Sequence, residues 1–318
     1  MRNYSIDTLK ALCAICVIYI HSPQIEELRH FTNPLIKCAV PIFFIISGYF
    51  TFGKNDIGAT LRKRIISTLK IFGWGFAVYL LHIIVKYGFK PLGFVLNDIL
   101  SVEYLIFNVV PYAAHLWYIM AYIYLLVIIL GIEKFNLHRL LFGIAPLLLV
   151  TGLVFGTYSE MLLGCNTEIY ITRNFLFTGL PYFTMGLFIK RMQGYIISRT
   201  GLCVAAVAGV ISYLLGMAES SVPQLSNGDV YASTAILAPA LLILFLNIKQ
   251  TKDNLFSKMG REDSLYIYIL HFLIVIVLMN KNCYTKPGFE YICAPLVFCT
   301  TLAIIYILRK LKIIGRII

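Results

Sequence analysis

Apolar runs of membrane-spanning length recur from one end of this chain to the other, and no other feature restricts its fold so severely. About 20 apolar residues carry a helix across a bilayer, because each residue rises about 1.5 Å. Ten stretches fit: 5–22, 34–53, 66–86, 115–132, 138–156, 173–190, 200–218, 230–248, 264–280 and 289–309. The runs are continuous and do not alternate with a period of two, which argues against a β-barrel. Hydrophobic residues make up 59% of the 318 and charged residues only 13%, against about 25% charged in soluble domains. A water-soluble globule of this composition could not cover its surface. Soluble enzymes, nucleic-acid-binding domains and disordered chains are therefore excluded. The reading is an all-α polytopic membrane protein of ten crossings, with residues 1–318 forming one membrane domain without linkers or repeats. The first run is followed by no A-x-A-like cleavage site and is expected to be a retained helix, not a signal peptide.

The net charge of +12 has a topological reading. Cytoplasmic loops are enriched in Lys and Arg. With ten crossings and a cytoplasmic N-terminus, 20 of the 27 Lys and Arg residues face the cytoplasm. If 93–109 also crossed, only 10 would. The charge distribution thus predicts both termini inside, with 93–109 a helix lying at the interface or dipping partway. It also explains the basic balance without nucleic acid. Six of the eight cysteines, Cys13, Cys16, Cys38, Cys203, Cys293 and Cys299, lie in apolar runs, where a thiol acts as a small hydrophobe. Cys13 and Cys16 have CxxC spacing but no neighbouring His or further Cys, so no metal site is expected. A disulfide between the loop residues Cys165 and Cys283 is left open.

Ionisable groups within spans are costly, and each is a functional candidate. The first span carries Lys10 and His21, eleven residues apart. At about 100° per residue the two lie within roughly 20° around the axis and roughly 16 Å along it. One face therefore presents a cation near the cytoplasm and an imidazole far across. Lys10 alone also fits a snorkelling anchor, and Asp7 stands one turn away as its partner. Pro41 and the Ser47-Gly48 pair in the second span suggest close packing. Arg62 and Arg64, at the cytoplasmic mouth, serve topology or cradle phosphates through their guanidinium forks. His115 stands beside Trp117 and Tyr118 at an outer end, where the aromatic pair alone is an ordinary interfacial belt. Arg173 pairs with Glu160 or Glu168, or meets an anionic ligand. His271 lies about two turns into the ninth span.

These residues fall in segments that resemble the acyltransferase-3 family of bacterial integral-membrane acyltransferases. Asp7 through His21 resembles the family's opening. Pro41-Ile42-Phe43-Phe44-Ile45-Ile46-Ser47-Gly48-Tyr49, His115-Leu116-Trp117-Tyr118, Thr172 through Gly186 and Ser264 through His271 resemble its later signatures, in order. Among subgroups the chain looks most like surface-polysaccharide O-acyltransferases and the membrane half of vancomycin-resistance serine racemases, and is expected to lack the racemase domain. The resemblance implies transfer of an acyl group, usually acetyl, from cytoplasmic acyl-CoA to a hydroxyl of an envelope glycan or its lipid-linked precursor, in a bacterial cell membrane. Acetyl-CoA would be a co-substrate, with no permanently bound cofactor. By residue matching His21 takes the catalytic place, as general base or as the carrier of an acyl-His intermediate. Lys10, Arg62 and Arg64 meet the donor. His115, Arg173 and His271 are expected to contact the acceptor or the oxyanion. Two departures stand out: Lys10 replaces the family's usual Arg, giving a point charge without a fork, and Arg62 and Arg64 are more closely spaced than in many members. The competing classes are a small-solute transporter, with serine a natural solute, and an inert assembly partner.

Overall fold

The computed structural model describes residues 3–52, 56–89, 93, 95, 97, 101–226, 228–248 and 250–315. Among them there is no strand. In chain order the principal helices are α1 (Tyr4–Ile20), α2 (Glu26–Ile36), α3 (Ala39–Tyr49), α4 (Ile57–Tyr87), α5 (Trp117–Lys134), α6 (His138–Phe155), α7 (Leu180–Arg191), α8 (Arg199–Ser221), α9 (Thr234–Asn247), α10 (Leu255–Glu262), α11 (Ser264–Asn280) and α12 (Phe289–Lys310).

Among the described residues, six segments are long and apolar enough to cross a membrane: Glu26–Tyr49, Ile57–Tyr87, Ala114–Lys134, His138–Phe155, Arg199–Ser221 and Phe289–Lys310. A seventh arises if α10 and α11, bent by 77° at their junction, count as one. The other stretches expected to span are also helical but shorter. α1 and α11 have 17 residues each and α9 has 14. The stretch expected at 173–190 opens as a π-helical turn, Phe175–Gly179, before α7 begins. Of the segment 93–109, a short helix over Val102–Ile106 is described, while residues 94, 96 and 98–100 lie outside the described residues.

Local chemistry fixes the helix ends. Asn3 accepts the Ile6 N–H at the start of α1, and Asp56 accepts the Ala59 N–H at the start of α4. Each satisfies a donor that has no partner within its own helix. α1 stops at His21, two residues before Pro23, as a following proline disfavours the helical conformation. α4 stops at Gly88, whose φ of 71° favours glycine. Pro41 sits in the first turn of α3, where a missing N–H costs little. The segment expected as a cytoplasmic loop after residue 248 instead contains α10. Its start carries a reciprocal cap in which the Asn254 side chain accepts the Ser257 N–H and the Ser257 hydroxyl accepts the Asn254 N–H. This helix was hidden because it is short and polar, and hydropathy alone reads it as loop.

The helices gather into two compact units. The first comprises Met1–Phe43, Arg191–Ser226 and Val230–Ile318, and the second Phe44–Lys190 and Asn227–Asp229. In the first, α10 lies on α1 so closely that a Cβ at Gly260 would overlap the Asp7 carbonyl oxygen. In the second, a Cβ at Gly48 would overlap the Phe183 carbonyl oxygen and one at Gly186 the Ile45 carbonyl oxygen, so α3 and α7 touch backbone to backbone. Small residues permit such approaches within a bilayer, where dispersion and interhelical polar contacts replace the hydrophobic drive. The Ser47-Gly48 pair therefore packs as its sequence suggests.

Candidate active site

In the first unit the reactive groups are carried by α1 and α11. α1 is regular from Tyr4 to Ile20, which preserves the register of Lys10 with His21. Lys10 Nζ lies 3.2 Å from Asp7 Oδ1, so the anticipated pairing is formed. The Asp7 side chain is 5% exposed and that of Lys10 29%. The cation therefore keeps access to solvent while it neutralises a buried carboxylate. His21 is the residue that caps the C-terminus of α1, with φ −102° and ψ 4°. Its ring lies 5.3 Å, centroid to centroid, from that of His271 and 4.9 Å, edge to face, from that of Phe272. The Tyr284 hydroxyl donates to the His21 carbonyl at 3.0 Å. His271 is fully buried on α11, with Nδ1 2.9 Å from the Ile267 carbonyl oxygen. Two imidazoles and two aromatic residues thus converge at the end of α1.

The second unit holds the remaining candidates. Arg64 donates from Nη1 to Thr51 Oγ1 at 2.7 Å and from Nη2 to the Phe50 carbonyl at 3.0 Å. It closes the C-terminal end of α3, where orphan carbonyls attract cations. Arg62, on α4, is exposed. His115 is 2% exposed, and its ring lies 4.8 Å from that of Tyr79. The Arg173 guanidinium carbon stands 5.5 Å from the Trp117 ring centroid. It takes a cation–π position, whereas the sequence offered an ion pair with Glu160 or Glu168 or contact with an anionic ligand. Its Nε is buried, with no hydrogen-bond partner among the described residues.

A family model described as an acyltransferase domain matches residues 3–310, nearly the entire chain. The chain belongs to the acyltransferase-3 family. An amino-acid racemase of Enterococcus faecalis is 23% identical over 308 residues, covering 89% of this chain and 42% of the relative. A serine/alanine racemase of Enterococcus gallinarum is 24% identical over 295 residues, covering 85% and 40%. The chain spans about two-fifths of the length of these relatives. No solved structure matches it.

Several supporting residues of this acyltransferase-3 family member leave little trace in the sequence. Asn108 is buried with a φ of 51°. Its Oδ1 accepts the Phe175 N–H at 2.9 Å, and its Nδ2 reaches the Trp117 carbonyl at 3.5 Å. Asn174 caps the π-turn, accepting the Leu176 and Phe177 N–H groups at 2.9 and 3.1 Å. The two asparagines frame the residues that flank Trp117 and Arg173. Close by, Tyr170 donates to Glu103 at 2.6 Å, and this carboxylate pushes the phenol up to about 12. In the first unit, burial raises the Asp263 carboxyl at the α10–α11 bend, against the opposing pull of Arg309, whose Nη1 lies 2.5 Å from it. Arg309 also donates to the Glu262 carbonyl at 2.7 Å, so one guanidinium clamps both sides of the bend. A polar pair at the bend and two isolated asparagines are the only signals these groups leave in the sequence.

Proposed function

We propose that this acyltransferase takes an acyl group, acetyl in the first instance, from cytoplasmic acyl-CoA and passes it to a hydroxyl of a cell-envelope glycan or its lipid-linked precursor. In this reading all ten apolar stretches cross a bacterial plasma membrane, with both termini cytoplasmic as the charge distribution asks. One observation carries it: a continuous helix holds Lys10 toward its N-terminal end, the cytoplasmic one in this reading, and His21 at the other, the His21 ring lying against His271 and Phe272. Their separation, roughly 16 Å by helical rise, is comparable with the reach of a pantetheine arm. Phosphates near Lys10 then leave the thioester beside His21.

The His21 imidazole takes the proton of the acceptor hydroxyl. An imidazole is the side chain most often used as a general base. The oxygen bonds to the acyl carbon, the carbon–sulfur bond breaks, and the proton passes from His21 to the departing thiolate. Attack by His21 itself, through an acyl-imidazole, is the variant route. The roles that the family resemblance suggests for Arg62, Arg64, His115 and Arg173 belong to this proposal, each open to its own substitution.

The test is thiol release and label transfer from acetyl-labelled acetyl-CoA, with purified protein in lipid nanodiscs and bacterial envelope extract as acceptor. His21→Ala, folded and inserted as the parent, is expected to lose about 100-fold or more. Unchanged transfer by that variant refutes the role of His21. A second reading makes the chain a small-solute transporter, and the relatives, named as racemases of amino acids including serine, make serine the solute to try first. Serine accumulation in proteoliposomes without thiol release would support that reading in place of acyl transfer.

A further inference from the structure

His21 stands where a helix holds its backbone least well. Its N–H is given to the Ile18 and Tyr19 carbonyls, within α1. Its own carbonyl lies in the last turn, where a helix supplies no further N–H. Pro23, two residues on, carries none either. The Tyr284 hydroxyl provides the donor at 3.0 Å, from 263 positions away in the sequence. Tyr284 is itself built to stay in place. It sits in a 3-10 turn, Cys283–Thr285, between α11 and α12. Asn282 enters that turn with a φ of 52° and gives its N–H to the Met279 carbonyl at 2.9 Å. The Asn282 carbonyl accepts the Thr285 hydroxyl at 2.9 Å, and the Lys286 N–H closes on the Cys283 carbonyl at 3.1 Å. The Tyr284 ring lies 5.8 Å from that of Phe289, at the start of α12. Burial and the neighbouring Cys293 thiol push the phenol above its ordinary range. The hydroxyl therefore keeps its proton, and remains a donor, wherever an imidazole titrates.

We propose that Tyr284 is a positioning residue for His21: by holding the His21 carbonyl, its hydroxyl fixes the last turn of α1 and with it the place of the imidazole. The last turn of a helix frays when nothing ties it down, and a ring carried there moves with it. A displacement of about 1 Å at a reacting group can cost about 100-fold in rate. Phe272, on α11, packs edge to face against the His21 ring. Tyr284, on the turn that follows α11, holds the His21 backbone. One helix and its following turn thus grip both parts of the residue. The phenol gives its hydrogen bond to a main-chain carbonyl, so it takes no part in the proton transfer. This inference rests on the acyl-transfer reading of His21.

The test is Tyr284→Phe in nanodiscs, following thiol release from acetyl-CoA in the presence of envelope extract across a range of pH. Phenylalanine keeps the ring against Phe289 and removes only the hydroxyl. It is expected to lower kcat per folded protein by about tenfold or more, with KM for acetyl-CoA unchanged. The loss should be the same at every pH, because the phenol handles no proton. Wild-type kcat, a change confined to KM, a loss that vanishes once rates are divided by folded protein, or an altered shape of the pH profile each overturns the proposal. Should the variant not fold, the parent decides. His21-Ser22 is the one His-Ser pair in the chain, so carbonyl-carbon-13 histidine with nitrogen-15 serine reports on that carbonyl alone. A single line at a hydrogen-bonded shift supports the proposal, and a line averaged over fraying conformers overturns it. Failure here is separable from failure of the broader reading. Loss of activity in His21→Ala with full activity in Tyr284→Phe removes only the positioning role, whereas full activity in both removes the transferase assignment of His21.

Discussion

The end of α1 and the segments around Trp117 carry similar chemistry on different scaffolds. In the first unit His21 and Lys10 ride on one regular helix and His271 on another, and α10, which precedes the His271 helix, meets α1 through a glycine. In the second unit His115 sits on a single 3-10 turn, Ala114–Leu116. Arg173 precedes a π-helical turn, and the joining backbone is held by two asparagine side chains. A regular helix transmits spacing from sequence to structure, so two residues eleven apart remain on one face. Turns and π-bulges transmit none, and their geometry depends on polar side chains that satisfy stranded backbone groups. The first arrangement should therefore fail through packing, and the second through unmet hydrogen bonds.

The largest effect expected on this contrast comes from the glycine contact. Gly260→Ala forces a methyl group into the Asp7 carbonyl and should cost at least about 2 kcal/mol of stability, read as a lowered Tm in detergent, with donor affinity falling as Asp7 and Lys10 shift. Gly73→Ala is the control: nothing lies within 4 Å of a Cβ there, and the gain in helix propensity should leave Tm equal or slightly raised. Equal losses at Gly260 and Gly73 would break the packing argument.

Next is Asn108→Ala, which strands the Phe175 N–H in a buried setting. About 1–3 kcal/mol of stability should be lost. Asn108→Gly should recover little of it, because glycine restores the φ of 51° but not the hydrogen bond. Full recovery by glycine would show that backbone conformation, not the side-chain bond, is what the site requires.

The smallest effect belongs to Lys10→Arg. The charge and the Asp7 pairing are retained while a fork is added, so Tm should hold and KM for acetyl-CoA should change by no more than about threefold. A large rise in KM would mean that the compact ammonium is itself selected at this position.

These contrasts explain what the sequence made legible. The apolar runs identify the helices because hydropathy and helical length are local properties. The Lys10–His21 register is legible for the same reason, as is the close packing at Gly48, a small residue in an apolar helix. α10 was not, since its eight residues fold through a cap and a glycine contact rather than a hydrophobic run. Nor was the meeting of His21 with His271, which are 250 positions apart in the sequence. Tyr284 and Asn108 act through hydrogen bonds to residues outside their own turns, and no periodicity announces such contacts. Arg64 reads in the sequence as a topological charge or a phosphate ligand, and its hydrogen bonds to the end of α3 leave no trace there.

The most direct test of the acyl-transfer reading is a structure of the protein in nanodiscs with a thioether analogue of acetyl-CoA. Density should place the sulfur beside the His21 ring and the phosphates on the Lys10 side of α1. An analogue bound away from α1, or a His21 ring turned into lipid with the sulfur elsewhere, would contradict it.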